Sequence, residues 1–183
     1  MRGKRVDLPV SNEVIEQLTA GDKLRLYGTI HTARDAAHKR FLEAIAKGNK
    51  LPVDLEETAI YYTGPCPPRP GMAIGSIGAT TSSRMDPYVE PLLKRGLKIM
   101  IGKGPRNDYV RDLCVKYKAV YLLVYGGIAA LATRDVKDAR VVAYEDLGTE
   151  AVRALEVTDF KVLVGIDTRG NDLYIEGVKR YRR

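Results

Sequence analysis

The sequence predicts an α/β fold with a mixed, largely parallel sheet, and two observations carry that prediction. Short apolar runs alternate with stretches of helical periodicity along most of the chain. There is also no internal repeat or low-complexity tract, and 183 residues suit one domain, so residues 1–183 are read as a single unit.

The first clear strand is Lys23 to Ile30, where Leu24, Leu26, Gly28 and Ile30 alternate with Arg25, Tyr27 and Thr29. A helix is expected to begin near Thr32, because Thr32-Ala33-Arg34-Asp35 has the form that satisfies unpaired amides at a helix start. Ala37, Phe41, Leu42 and Ile45 continue its apolar face, and Gly48 is a reasonable stop. Ala59 to Thr63 reads as a short strand entering Gly64 to Gly71, a stiff loop with four prolines. Small residues from Ile74 to Pro87 then lead into a helix through Val89, Leu92 and Leu93, capped by Gly96. Beyond it, Leu97 to Ile101 is read as a strand, Asn107 to Tyr117 as a helix and Ala119 to Tyr125 as a buried strand. Val141 to Tyr144 is read as a short strand and Thr149 to Leu155 as helical. Lys161 to Ile166 is a further strand, with Leu173 to Ile175 pairing beside it.

Composition narrows the function classes. No apolar run approaches the ~20 residues of a membrane span, and the basic Met1-Arg2-Gly3-Lys4-Arg5 leads into Val6-Asp7-Leu8-Pro9 instead of an apolar signal core. A cytoplasmic protein is expected. Cys66 and Cys114 are too few for a disulfide scaffold and lack C-x-x-C spacing. They are also too few to hold an iron–sulfur cluster, and His31 and His38 form no recognised metal spacing with them. The net charge of +7 sits largely at the two ends, aromatics amount to 7%, tryptophan is absent and no RNA-binding signature occurs. Solvated basic tails are favoured over a nucleic-acid surface. Internal cations remain as candidates for holding an anionic ligand.

Three segments could bind an anion. Arg34 is expected in the first turn of its helix, where free amides and the helix dipole support a carboxylate; the alternative is a surface arginine or one paired with Asp35. Thr80-Thr81-Ser82-Ser83-Arg84 sets four hydroxyls and a guanidinium after a Gly-x-x-Gly turn. Arginine can clamp a carboxylate with two parallel hydrogen bonds, although a helix cap would also use hydroxyls. Lys103, between Gly102 and Gly104, ends an apolar strand on the usual ligand side of an α/β sheet. It is no nucleotide loop, since no Ser or Thr follows it. Asp167 to Asp172 fails as a calcium loop because arginine stands where an acidic ligand belongs. Gly126-Gly127 is read as tight packing and His38 as a structural histidine. Together the residues suggest a small acidic metabolite held by Arg34, Arg84 and Lys103 with hydroxyl help.

Arg34-Asp35-Ala36-Ala37-His38-Lys39, Tyr62-Thr63-Gly64-Pro65, Gly78 through Asp86 and Ile101-Gly102-Lys103-Gly104 resemble the blocks of one family, in order over nearly the whole chain. It is the beta subunit, or carboxy-terminal domain, of class I fumarate hydratases and L(+)-tartrate dehydratases. The resemblance implies a swivelling β/β/α domain that closes over a partner alpha subunit within a heteromer. It implies a [4Fe-4S] cluster on that partner, held by three cysteines with one open iron serving as a Lewis acid. It implies substrate-binding roles for Arg34, Thr80, Arg84 and Lys103, with Thr81 as the group that moves a proton at carbon. Asp35 and His38 would be supports, and Cys66 matches no cluster ligand. Fumarate is favoured over tartrate as the commoner substrate. A basic α/β module that binds a metabolite or RNA without catalysis is the rival from another class.

Overall fold

The computed structural model describes residues 3–56, 58–127 and 129–182. Two long strands form its spine. β2 (Lys23–Thr32) and β7 (Val152–Ile166) pair antiparallel, from Lys23 opposite Leu163 to Thr32 opposite Arg153. The free edge of β2 takes β1 (Lys4–Asp7) at its start and β3 (Ala59–Tyr61) at its end, both parallel. The parallel run continues through β4 (Ile99–Gly102) to β5 (Val120–Val124). β5 then pairs antiparallel with the end of β7, and β6 (Val136–Ala143) pairs antiparallel with its beginning. Strands β2, β3, β4, β5 and β7 therefore close into a ring, because β7 is long enough to serve both β2 and β5.

The central strands bury both faces, which is why they read as continuous apolar runs. In β4, Ile99 and Ile101 enter the core inside the ring while Met100 enters the core under the helices. In β5, Val120 and Leu122 go inward and Tyr121 and Leu123 outward. The outer core is covered by α2 (Asp35–Ala46), α3 (Asp86–Leu93) and α4 (Asp108–Tyr117), which contribute Phe41, Leu92 and Cys114. Two short helices, α1 (Asn12–Gln17) and α5 (Ala129–Ala132), and the terminal α6 (Leu173–Tyr181) complete the chain. The mixed α/β prediction holds, with the parallel strands forming a continuous run.

Five local expectations are corrected. Thr32 ends β2 and gives its hydroxyl to the Ala151 carbonyl at 3.3 Å, so it caps no helix. Arg34 is the cap residue of α2, with extended backbone, and not part of the first turn. Residues Thr149 to Leu155 do not form one helix: Thr149 and Glu150 close a 3-10 segment and β7 begins at Val152. Strand is favoured there because Val152, Ala154, Leu155, Val157, Phe160, Val162 and Val164 must line buried faces. Leu173 to Ile175 opens a helix, because the Asp172 carboxylate accepts from the Tyr174 N–H at 2.8 Å. β6 also starts at Val136, five residues before the Val141 expected from the sequence. The Asp167 to Asp172 segment is a structural tie. The Asp167 carboxylate accepts from the backbone N–H groups of Ala20, Arg169 and Asn171 at 2.9 to 3.1 Å.

Candidate functional site

Three chain segments meet at the carboxyl ends of β2, β3 and β4. The cap of α2 brings Arg34 and Asp35, the 3-10 turn Ser82–Met85 brings Arg84, and the residue after β4 is Lys103. Asp35 joins the first two. Its carboxylate accepts from Arg84 Nε at 3.0 Å, with Arg84 Nη2 at 2.9 Å, and Arg34 Nε lies 3.4 Å away. Thr81 forms an isolated parallel bridge with Lys103. Ser82 fastens that junction: its N–H donates to the Lys103 carbonyl at 3.1 Å, and its hydroxyl accepts from the Lys103 N–H at 2.9 Å. The Thr80 N–H donates to the Tyr62 carbonyl at 2.8 Å. All five residues singled out in the sequence therefore belong to one connected patch. Thr81, Arg84 and Lys103 are exposed, whereas Arg34 and Thr80 are half-buried.

Two glycines explain how close this packing is. At Gly64 a Cβ would meet Arg34 Cδ and the Thr149 carbonyl oxygen, each at 3.0 Å. Any side chain there would displace the guanidinium. At Gly102 a Cβ would fall 2.0 Å from Ser82 Oγ, breaking the tie between Ser82 and Lys103.

The site differs from the expectation in three respects. The anion at the start of α2 is Glu150, whose carboxylate accepts from the Ala36 N–H at 2.8 Å and lies 3.4 Å from Arg34 Nε. That carboxylate takes the helix-end role assigned to a ligand, and the sequence carried no signal for it. Of the four hydroxyls, Ser82 is fully buried and serves the fold. Gly126-Gly127 is not there for tight packing, since a Cβ at either position would meet nothing within 4 Å. Gly127 has a φ of 77°, and with Gly78, Tyr125 and Lys103 the pair lines a cavity of about 80 Å³.

Beneath the patch lies a buried polar layer of which sequence reasoning marked only His38, as a structural histidine. Asp86 and Arg106 form an ion pair at 2.5 Å with both side chains fully buried, and Asn107 donates to Asp86 through its backbone N–H at 2.9 Å and its Nδ2 at 2.6 Å. The Arg106 guanidinium stacks over Tyr121 at 4.7 Å and Tyr62 at 5.4 Å. His38 is also fully buried, and its Nδ1 lies 3.0 Å from the Arg34 carbonyl. A carbonyl can only accept, so Nδ1 carries the proton. Burial, helped by nearby Arg106 and opposed by the Arg34 carbonyl, pulls the His38 pKa down to about 4.

That shift makes a stability prediction. Because the folded pKa lies below the ordinary histidine value of 6.5, the unfolded chain binds more protons between pH 6.5 and 4. The stabilisation is therefore full above pH 6.5 and is lost as pH falls through that window. Urea unfolding at pH 5 should show about 2 kcal/mol less stability from this group than at pH 8. His38→Phe should remove that part of the pH dependence; an unaltered pH profile in the variant would assign it elsewhere.

The chain belongs to a hydro-lyase family, the one described as fumarase C-terminus, whose model matches residues 2–177. It is similar to the aerobic class I fumarate hydratase of Salmonella typhimurium, 41% identical over 177 residues, covering 93% of this chain and 30% of that protein. To the anaerobic class I fumarate hydratase of Escherichia coli it is 40% identical over 173 residues, covering 92% of this chain and 32% of that protein. To the L(+)-tartrate dehydratase subunit beta of Escherichia coli it is 32% identical over 183 residues, covering 97% of this chain and 90% of that subunit. The chain thus spans less than a third of the length of these fumarate hydratases but nearly all of the tartrate dehydratase subunit.

Proposed function

We propose that this chain is the substrate-clamping part of an enzyme that reversibly hydrates fumarate to (S)-malate, acting with a cluster-bearing alpha subunit. The observation that carries the proposal is the shared carboxylate of Asp35. It holds Arg34 and Arg84 side by side, while the backbone bridge between Thr81 and Lys103 sets those two residues next to each other beside the turn that carries Arg84. Three cations face two carboxylates, Asp35 and Glu150, so the patch keeps positive charge for a dianion. The Nη atoms of Arg34 donate to no group among the described residues and can reach a ligand.

In this reading Arg34, Arg84, Lys103 and Thr80 hold the two carboxylates of the diacid. Thr81 Oγ, as the alkoxide that neighbouring cations favour, takes the proton from one carbon of malate, hydroxide leaves the adjacent carbon, and the proton passed on to that hydroxide gives the water released. Hydration runs the same transfers in reverse. Removing a proton beside a carboxylate builds negative charge on that carboxylate. Cations already in place favour the charged transition state over the ground state. Threonine is a weak base, so Thr81 depends on its cationic neighbours to hold the substrate proton within reach.

The residues present do not fit an iron–sulfur cluster. Cys114 is buried in the outer core, where burial pushes its thiol up to about 12, and Cys66 lies apart on the proline loop. Among the described residues no three His, Cys, Asp or Glu side chains gather as a metal site. We therefore assign the cluster to the alpha subunit, and no step above runs through it. A heteromer is supported by the 90% coverage of a relative named subunit beta. Within it, residues 1–183 would form the domain that swivels over the alpha subunit. Among the described residues no helix is long and apolar enough to cross a membrane, and we place the enzyme in the cytoplasm.

Fumarate is preferred to tartrate because identity to the fumarate hydratases is higher, 40–41% against 32%. Co-expression with a cysteine-bearing alpha subunit should give a cluster-containing complex that hydrates fumarate faster than it dehydrates tartrate. A complex with the opposite preference would overturn the substrate assignment. No complex, together with salt-sensitive RNA binding by the chain alone, would overturn the enzymatic reading.

A further inference from the structure

Directly beneath Arg34 and Thr80, three buried side chains each keep one polar atom without a hydrogen-bond partner: His38 Nε2, Tyr62 Oη and Arg106 Nη2. The residues are neighbours. The His38 and Tyr62 rings meet edge-on with centroids 5.4 Å apart, and the Arg106 guanidinium lies 5.4 Å from the Tyr62 ring centre. Leaving a buried polar group unpaired is costly, so three such atoms in one place call for a common explanation. Their chemistry supplies one. Arg106 Nη2 can only donate. His38, with its proton on Nδ1, offers Nε2 only as an acceptor. A phenol hydroxyl does both.

We propose that in solution a small turn of these side chains, which stand unpaired in the structure, lets the Tyr62 hydroxyl join the three, accepting from Arg106 Nη2 and donating to His38 Nε2, and that Tyr62 is thereby a positioning residue for Arg34 and Thr80. The line it completes runs from Asp86 through Arg106, Tyr62 and His38 to the Arg34 carbonyl. Tyr62 also reaches the site through its backbone, because its carbonyl accepts the Thr80 N–H at 2.8 Å. The two half-buried members of the clamp therefore hang from one network. The exposed members, Thr81, Arg84 and Lys103, are set by contacts outside it. Each bond in the line has one donor and one acceptor, and it fixes the His38 tautomer that the Arg34 carbonyl requires.

The test is Tyr62→Phe, which keeps the ring and removes only the hydroxyl. If the hydroxyl joins Arg106 to His38, its loss strands two buried groups, and Tm should fall by roughly 4 °C or more. Removing a hydroxyl that serves nothing would instead leave Tm unchanged or raise it, overturning the proposal. Long-range ¹H–¹⁵N spectra of His38 supply a readout that packing alone does not move. In the wild-type chain Nε2 should resonate as a hydrogen-bonded acceptor, and in Tyr62→Phe it should move downfield to an unbonded position. A wild-type Nε2 already at the unbonded position overturns the proposal without any variant. The consequence for catalysis rests on the function proposed above. In the assembled complex Tyr62→Phe should raise KM for fumarate several-fold more than it lowers kcat. Should that complex turn over neither fumarate nor tartrate, the functional reading fails while the melting curve and spectra still decide the role of Tyr62.

Discussion

Asp86→Ala is expected to cost the chain about 3–5 kcal/mol of stability, because it leaves the Arg106 guanidinium charged, buried and unpaired. Both side chains are wholly removed from solvent, so water cannot take the place of the lost carboxylate. The same substitution strands the Asn107 N–H and side-chain amide, which both donate to Asp86. The loss should appear as a lower urea midpoint at unchanged slope. Asp86 opens α3 directly after the 3-10 turn that carries Arg84, so the variant should also loosen the clamp. A midpoint equal to the wild type would show that Arg106 finds another partner and that the buried pair is not a structural anchor.

Arg84→Lys should lower kcat/KM for fumarate in the assembled enzyme by roughly 100-fold while leaving the fold intact. Arg84 meets the Asp35 carboxylate through Nε and Nη2, which fixes the plane of the guanidinium. Lysine keeps the charge but cannot hold that plane or grip a substrate carboxylate with two parallel bonds. The Arg84 side chain is 53% exposed, so its ion pair with Asp35 contributes at most about 1 kcal/mol to stability. Equal kinetics in variant and wild type would remove Arg84 from the site.

The sequence and the structure agree most closely where local chemistry dominates. β4 and β5 were legible as apolar runs because both of their faces are buried, and Phe41 and Ile45 marked α2 by spacing. The segment from Val152 to Leu155 was misread because a short apolar stretch fits helix or strand equally. Its state is set by pairing with β2, which lies more than a hundred residues earlier in the chain. Thr32 looked like a cap for a similar reason: the hydroxyl that could serve a helix end is taken by the Ala151 carbonyl across the sheet. At the candidate site, Lys103 stood out between two glycines, Arg84 behind four hydroxyl residues and Arg34 beside a helix start. What joins them was not legible. Asp35 could be seen only as a neighbour of Arg34, and nothing local connected it with Arg84, 49 residues away. Glu150 and Arg106 gave no signal and Tyr62 stood only inside a block of the family resemblance, because their roles arise from burial and from contacts between distant segments.

The most direct measurement is a crystal structure of the assembled complex with fumarate bound. The account predicts the side-chain nitrogens of Arg34, Arg84 and Lys103 at hydrogen-bonding distance from the two carboxylates of the diacid, with Thr81 Oγ facing one of its central carbons. A diacid bound beyond the reach of those three cations would contradict it.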